Sequence, residues 1–140
     1  MLIRTILVGA LAGLASPALA DRTAAPEGAA AHIVAPADGE AVSNPVTVVF
    51  GLRGMGVAPA GVEAENTGHH HLLIDVEPAE LDMENPLPAT DNIVHFGGGQ
   101  TEVALELPTG EHQLRLLLGD ANHIPHEPPV VSEPVTIVVE

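Results

Sequence analysis

Residues 101–118 read TEVALELPTGEHQLRLLL. Val103, Leu105 and Leu107 alternate with Glu102, Ala104 and Glu106. After Pro-Thr-Gly-Glu, Leu114, Leu116 and Leu118 alternate with Gln113, Arg115 and Leu117. A period of two is what a strand with one buried face requires, because successive side chains leave opposite sides of the pleat. A helix would repeat its apolar positions every three or four residues, and this stretch does not.

The same texture extends in both directions. Short β-branched or leucine-rich runs occupy 32–35, 45–52, 69–76, 93–96, 101–107, 112–118 and 134–139, each bounded by Gly, Pro, Asn or Asp. The stretch AELDMENPLPATD, residues 79–91, holds at most one helical turn, because its prolines interrupt anything longer. Seven strands in about 110 residues point to an all-β fold, an immunoglobulin-like (Greek-key) β-sandwich, with a jelly roll as the alternative.

The first twenty residues, MLIRTILVGALAGLASPALA, have one positive charge at Arg4, an apolar centre and a small-x-small end at Ala18-Leu19-Ala20. That pattern predicts a signal peptide over 1–20 and a periplasmic or secreted product. Residues 21–30 lack periodicity and read as a flexible leader, which leaves 31–140 for the sandwich domain. There is no cysteine, so neither disulfides nor thiolate metal sites are available. No second apolar stretch is long enough to span a membrane, so none is expected to hold the chain there after cleavage.

Nineteen acidic residues face four arginines, giving a formal net charge of -15 at pH 7. Nucleic acid and anionic lipid would be repelled by that field. The serines beyond the leader, Ser43 and Ser132, lie in no nucleophile elbow, and no H-E-x-x-H occurs. The sequence therefore reads as a non-enzyme, with a redox or hydrolytic metalloenzyme as the remaining alternative.

The histidines carry the functional signal. In a sandwich of alternating strands, the connections 53–68, 97–100 and 119–133 gather at one end. His69, His70 and His71 lie where the first becomes a strand, His95 where a strand enters Gly97-Gly98-Gly99, and His123 and His126 in the third. Six of the eight histidines thus map to one end. His112 belongs to the opposite end, and the place of His32 is open.

Pleating puts His69 and His71 on one face, with Cα atoms about 6.5–7 Å apart, and His70 on the other. His70 is expected against the core with a satisfied hydrogen bond, or behind the site as support. The expected ligands are His69, His71, His123 and His126, with His95 as a fifth candidate. Asp120 is expected to orient an imidazole or cap its turn, and Met55 to pack against its neighbours or to supply a thioether favouring copper. Nitrogen donors without thiolate suit a copper ion first and a zinc ion second. Such binding would weaken as pH falls through about 6.5.

The segments GMGVAPAG, NTGHHHLLID, HFGGGQTE, LPTGEHQLRLLLGD and the His123-Ile-Pro-His126 run resemble the exported bacterial domain family of the DUF4399 type. The resemblance spans roughly 36–139 and implies an exported β domain, without an activity. The resulting expectation is a periplasmic copper- or zinc-binding protein that buffers the ion or delivers it to a metal-handling partner. The alternative is a metal-free module whose histidine-rich end contacts a protein or glycan. Oligomeric state leaves no trace in the sequence.

Overall fold

A computed structural model describes residues 21–140, and the expected signal peptide lies outside the described residues. The elements are β1 (Ala30–Ala35), β2 (Glu40–Val42), β3 (Val46–Arg53), β4 (Gly56–Val57), β5 (Thr67–Ile74), β6 (Ile93–His95), β7 (Glu102–Leu105), β8 (Gly110–Gly119) and β9 (Val135–Val139). One 3-10 turn occurs at Pro78–Glu80, and no α-helix occurs among the described residues. Seven strands match those expected from the sequence. β2 and β4 are additions, and at three and two residues they are too short to show a period.

The strands form two sheets, as expected of a β-sandwich. One has the order β1-β3-β7, and the other β2-β9-β8-β5-β4, with β6 pairing on the same edge of β5 as β4. The alternating residues seen in the sequence face one another between the sheets. Val46, Val48 and Phe50 from β3 meet Leu72 and Ile74 from β5 and Leu114, Leu116 and Leu118 from β8. This is the main core, and apolar burial of this kind is the dominant favourable contribution to folding.

The six-stranded sheet is covered on its outer face as well. Leu73, Leu117, Ile93 and Leu87 form a second, smaller cluster there, with Val76, Leu81, Met83 and Val131 around it. The segment between β5 and β6 supplies most of that cover. Consequently β5 is buried on both faces from Gly68 to Ile74.

Residues 21–30 are not a free leader. Ala24 forms a parallel bridge with Glu127, and Ala25 N–H donates to the Glu127 carbonyl at 2.9 Å. The sequence carried no periodicity there because a two-residue bridge needs none.

Candidate metal centre

The outer face of β5 begins with His69 and His71 and continues into Leu73 of the second cluster. In register, His71 lies opposite His95 of β6 on one side and Leu117 of β8 on the other. Cross-strand partners share a face, so His95 joins His69 and His71. His69 lies opposite Gly119, which has no side chain to occupy that face. A Cβ on Gly119 would stand 2.5 Å from His71 Cε1. Glycine therefore leaves the space that the imidazoles fill.

The third ring comes from the loop after β8. Asp120 N–H donates to the Ile124 carbonyl at 2.9 Å, and His123 N–H donates to the Asp120 carbonyl at 3.0 Å. The Asp120 carboxylate accepts from the Asn122 and Ile124 N–H groups at 2.8 and 3.0 Å. His123 sits within this turn at φ 64, a left-handed conformation uncommon outside glycine. Leu87 N–H donates to its carbonyl at 2.9 Å and ties the turn to the outer cover.

The three rings converge. His69 Nε2 lies 2.9 Å from His123 Nδ1, and His71 Nε2 lies 3.3 Å from the same atom. Ligand nitrogens from His69, His71 and His123 all fall within 4.8 Å of one another. Two nitrogens bound tetrahedrally to one zinc at about 2.0–2.1 Å are about 3.3 Å apart, so the spacing suits a shared ion. Protons serve the cluster poorly: one lone pair or one hydrogen on His123 Nδ1 must answer two neighbouring nitrogens. A cation among three lone pairs satisfies all of them.

Burial keeps the His69 and His71 rings neutral. His69 and His71 are both 0% exposed. Burial is the main cause that lowers His71 to about 2, with repulsion from His69, His95 and His123 adding to it and the Leu117 backbone opposing. Burial likewise lowers His69 to about 4, helped by His123 and His95 and opposed by Asp120. Neutral imidazole is the form that binds a metal. Proton competition at these two rings therefore begins well below the 6.5 expected from sequence.

His95 flanks the triad without entering it. Its ring centroid is 4.4 Å from that of His71 and 4.7 Å from that of His123. His95 Nε2 meets the Pro88 carbonyl at 3.1 Å, and donating there leaves its Nδ1 with a lone pair. Burial is the main cause that holds its pKa below the ordinary value.

Three expectations need correction. His126 is not with the other ligands. A Cβ on Gly68 would meet the His126 ring at 2.9 Å and the Leu118 side chain, also at 2.9 Å, and Leu118 belongs to the core between the sheets. His126 therefore packs on the inner side of β5, with Nε2 3.2 Å from the Thr67 carbonyl. The chain reverses between the two residues, and Pro125 pairs back with Gly119, so the i, i+3 spacing does not aim both rings at one point. Met55 is packed against the main core, away from the triad, because apolar burial claims the thioether. His70 points into the core, as pleating requires, but neither of its nitrogens has a hydrogen-bond partner. Its ring centroid is 5.2 Å from Phe50, and burial, then His32, lowers its pKa to about 4.

Asp120 supports the site as a turn cap, and its charge favours the protonated form of His69 without touching a ring. Gly97 lies close beside the site: a Cβ there would be 3.2 Å from Ala60 Cβ and 4.0 Å from His123 Cε1. Gly119 and Thr23 were missed. Gly119 is legible only once β8 is registered against β5. Thr23 donates its hydroxyl to Asp120 at 2.8 Å across 97 residues of sequence, a contact without local signature.

The family model described as Domain of unknown function (DUF4399) matches residues 48–140. All four clustered histidines lie inside that span. Comparison with curated proteins and with solved structures returns no match.

Proposed function

We propose that this chain, which belongs to the DUF4399 family, is a periplasmic transition-metal-binding protein. His69, His71 and His123 hold the ion, and His95 stands beside them as a reserve donor. One observation carries the reading: three imidazole nitrogens, two of them on fully buried rings, converge where a cation satisfies them better than protons do.

Three nitrogens and no sulfur favour a divalent ion. Copper(II) comes first on affinity and zinc second. With Met55 packed against the main core, the thioether argument for copper(I) falls away. The role is buffering or delivery. The N-terminal run MLIRTILVGALAGLASPALA supports export, since it has the charge, apolar centre and small-residue end of a cleaved signal. The rival, a metal-free docking end built of histidines, is disfavoured because His69 and His71 are fully buried and have no surface to offer a partner.

The test is metal analysis of tag-free protein followed by competition titration with copper(II) and zinc(II). The expected result is one equivalent bound by the wild type and none by a His69→Ala, His71→Ala double variant of unchanged fold. Wild-type binding no tighter than that of an unfolded histidine peptide would overturn the reading.

A further inference from the structure

Of the three proposed ligands, two are locked in β5 and one, His123, rides on a loop. That loop is fastened from outside. Thr23 Oγ1 donates to the Asp120 carboxylate at 2.8 Å, on the oxygen that the turn's own N–H groups leave free. Arg22 Nε donates to the Pro125 carbonyl at 3.1 Å, and its other nitrogens reach the His126 carbonyl and the Glu127 carboxylate. Glu127 N–H donates to the Thr23 carbonyl at 2.9 Å, and Ala25 N–H returns a bond to the Glu127 carbonyl, also at 2.9 Å. Residues 22–25 thus grip both ends of the segment that carries His123, at Asp120 and at Pro125–Glu127.

From this we infer that Arg22 and Thr23 are positioning residues that set how tightly the three-imidazole site retains its ion. The inference rests on the metal-binding reading of His69, His71 and His123. Its physical basis is preorganisation. His123 occupies a left-handed conformation that a free loop would populate rarely. A strap that holds the turn removes the ordering cost from the binding step. His69 and His71 need no such help, because the sheet fixes them. Loosening the strap therefore releases one ligand of three and acts mainly on the dissociation rate. Neither strap residue touches a ring, so the effect runs through Asp120 and the turn.

The experiment loads the full chain with zinc(II) or cobalt(II) and follows metal release to a chromophoric chelator. It compares wild type with Thr23→Val, Thr23→Ser and Arg22→Gln. The cobalt(II) visible spectrum reports ligand geometry, and thermal melting of the metal-free proteins reports fold. The expected result is release faster by about tenfold in Thr23→Val and Arg22→Gln, the scale of ordering one loop side chain. The cobalt spectrum should change in both, and Thr23→Ser should restore wild-type release by returning the hydroxyl. If the wild type binds and the variants release at its rate, even with lowered melting temperatures, the strap is structural only and the inference fails while the metal reading stands. If the wild type binds neither of these ions nor copper(II), both fail together.

Discussion

The two faces of β5 make the same residue type do different things. Outward, His69 and His71 meet His123 in a group of nitrogens that answer one another. Inward, His70 sits against Phe50 with both nitrogens unpartnered. Burial alone is common to both faces, and it keeps all three rings neutral. What separates them is company. An isolated imidazole in a core costs stability, whereas three that converge make a site.

The comparison breaks first at the ligands. Replacing His71 by Ala should weaken metal binding by more than the roughly hundredfold that losing an outer partner can cost. Replacing His70 by Leu should leave the affinity within about twofold, since its ring lies on the other side of the strand. Titration of both variants against one competitor checks the contrast. Equal losses would mean that the faces are not distinct.

Gly119→Ala should have the next largest effect. It adds a methyl 2.5 Å from His71 Cε1, so the ring or the strand must move. Metal affinity should fall by about tenfold to a hundredfold, the scale of a disturbed ligand orientation. The main core, on the other face, should keep its hydrogen-exchange protection.

His70→Leu sharpens the inner half. Removing a buried, unpartnered polar ring for an apolar one of similar volume should stabilise the metal-free protein by about 1 kcal/mol. Denaturant unfolding measures it, and a loss of stability would show that His70 has a partner after all.

Acid gives a smaller and graded effect. His69 and His70 titrate at about 4 in the folded chain and His71 at about 2, against 6.5 when exposed. The unfolded chain then takes up more protons below 6.5, so metal-free stability is intact above that pH and falls as pH drops through about 4. His112 works in the opposite sense. Its hydrogen bond to Asp75, 2.7 Å long, raises its pKa above 6.5, so that contribution is present below 6.5 and is lost as pH rises through the raised value. Melting curves from pH 4 to 8 should show the first trend, and Asp75→Asn should remove the second.

Much of the fold is legible in local pattern. The alternation of residues 101–118 fixes which leucines face the core, because strand pleating has a fixed period. That same rule separates His69 and His71 from His70 before any coordinate is known. Strand order along the chain also brings His95 and His123 to the triplet's end of the domain. These are consequences of nearest-neighbour geometry, which sequence records directly. Tertiary structure alone decided the rest. His126 parted from His123 because a turn reversed the chain between them and paired Pro125 with Gly119 of β8. Met55 went to the core because apolar contact there outweighed anything the site offered. Gly119 acquired its role from cross-strand register, and Thr23 from a contact made 97 residues away. Spacing along the chain sets which face a side chain leaves from, while the neighbours that meet it there are chosen only when distant segments pack.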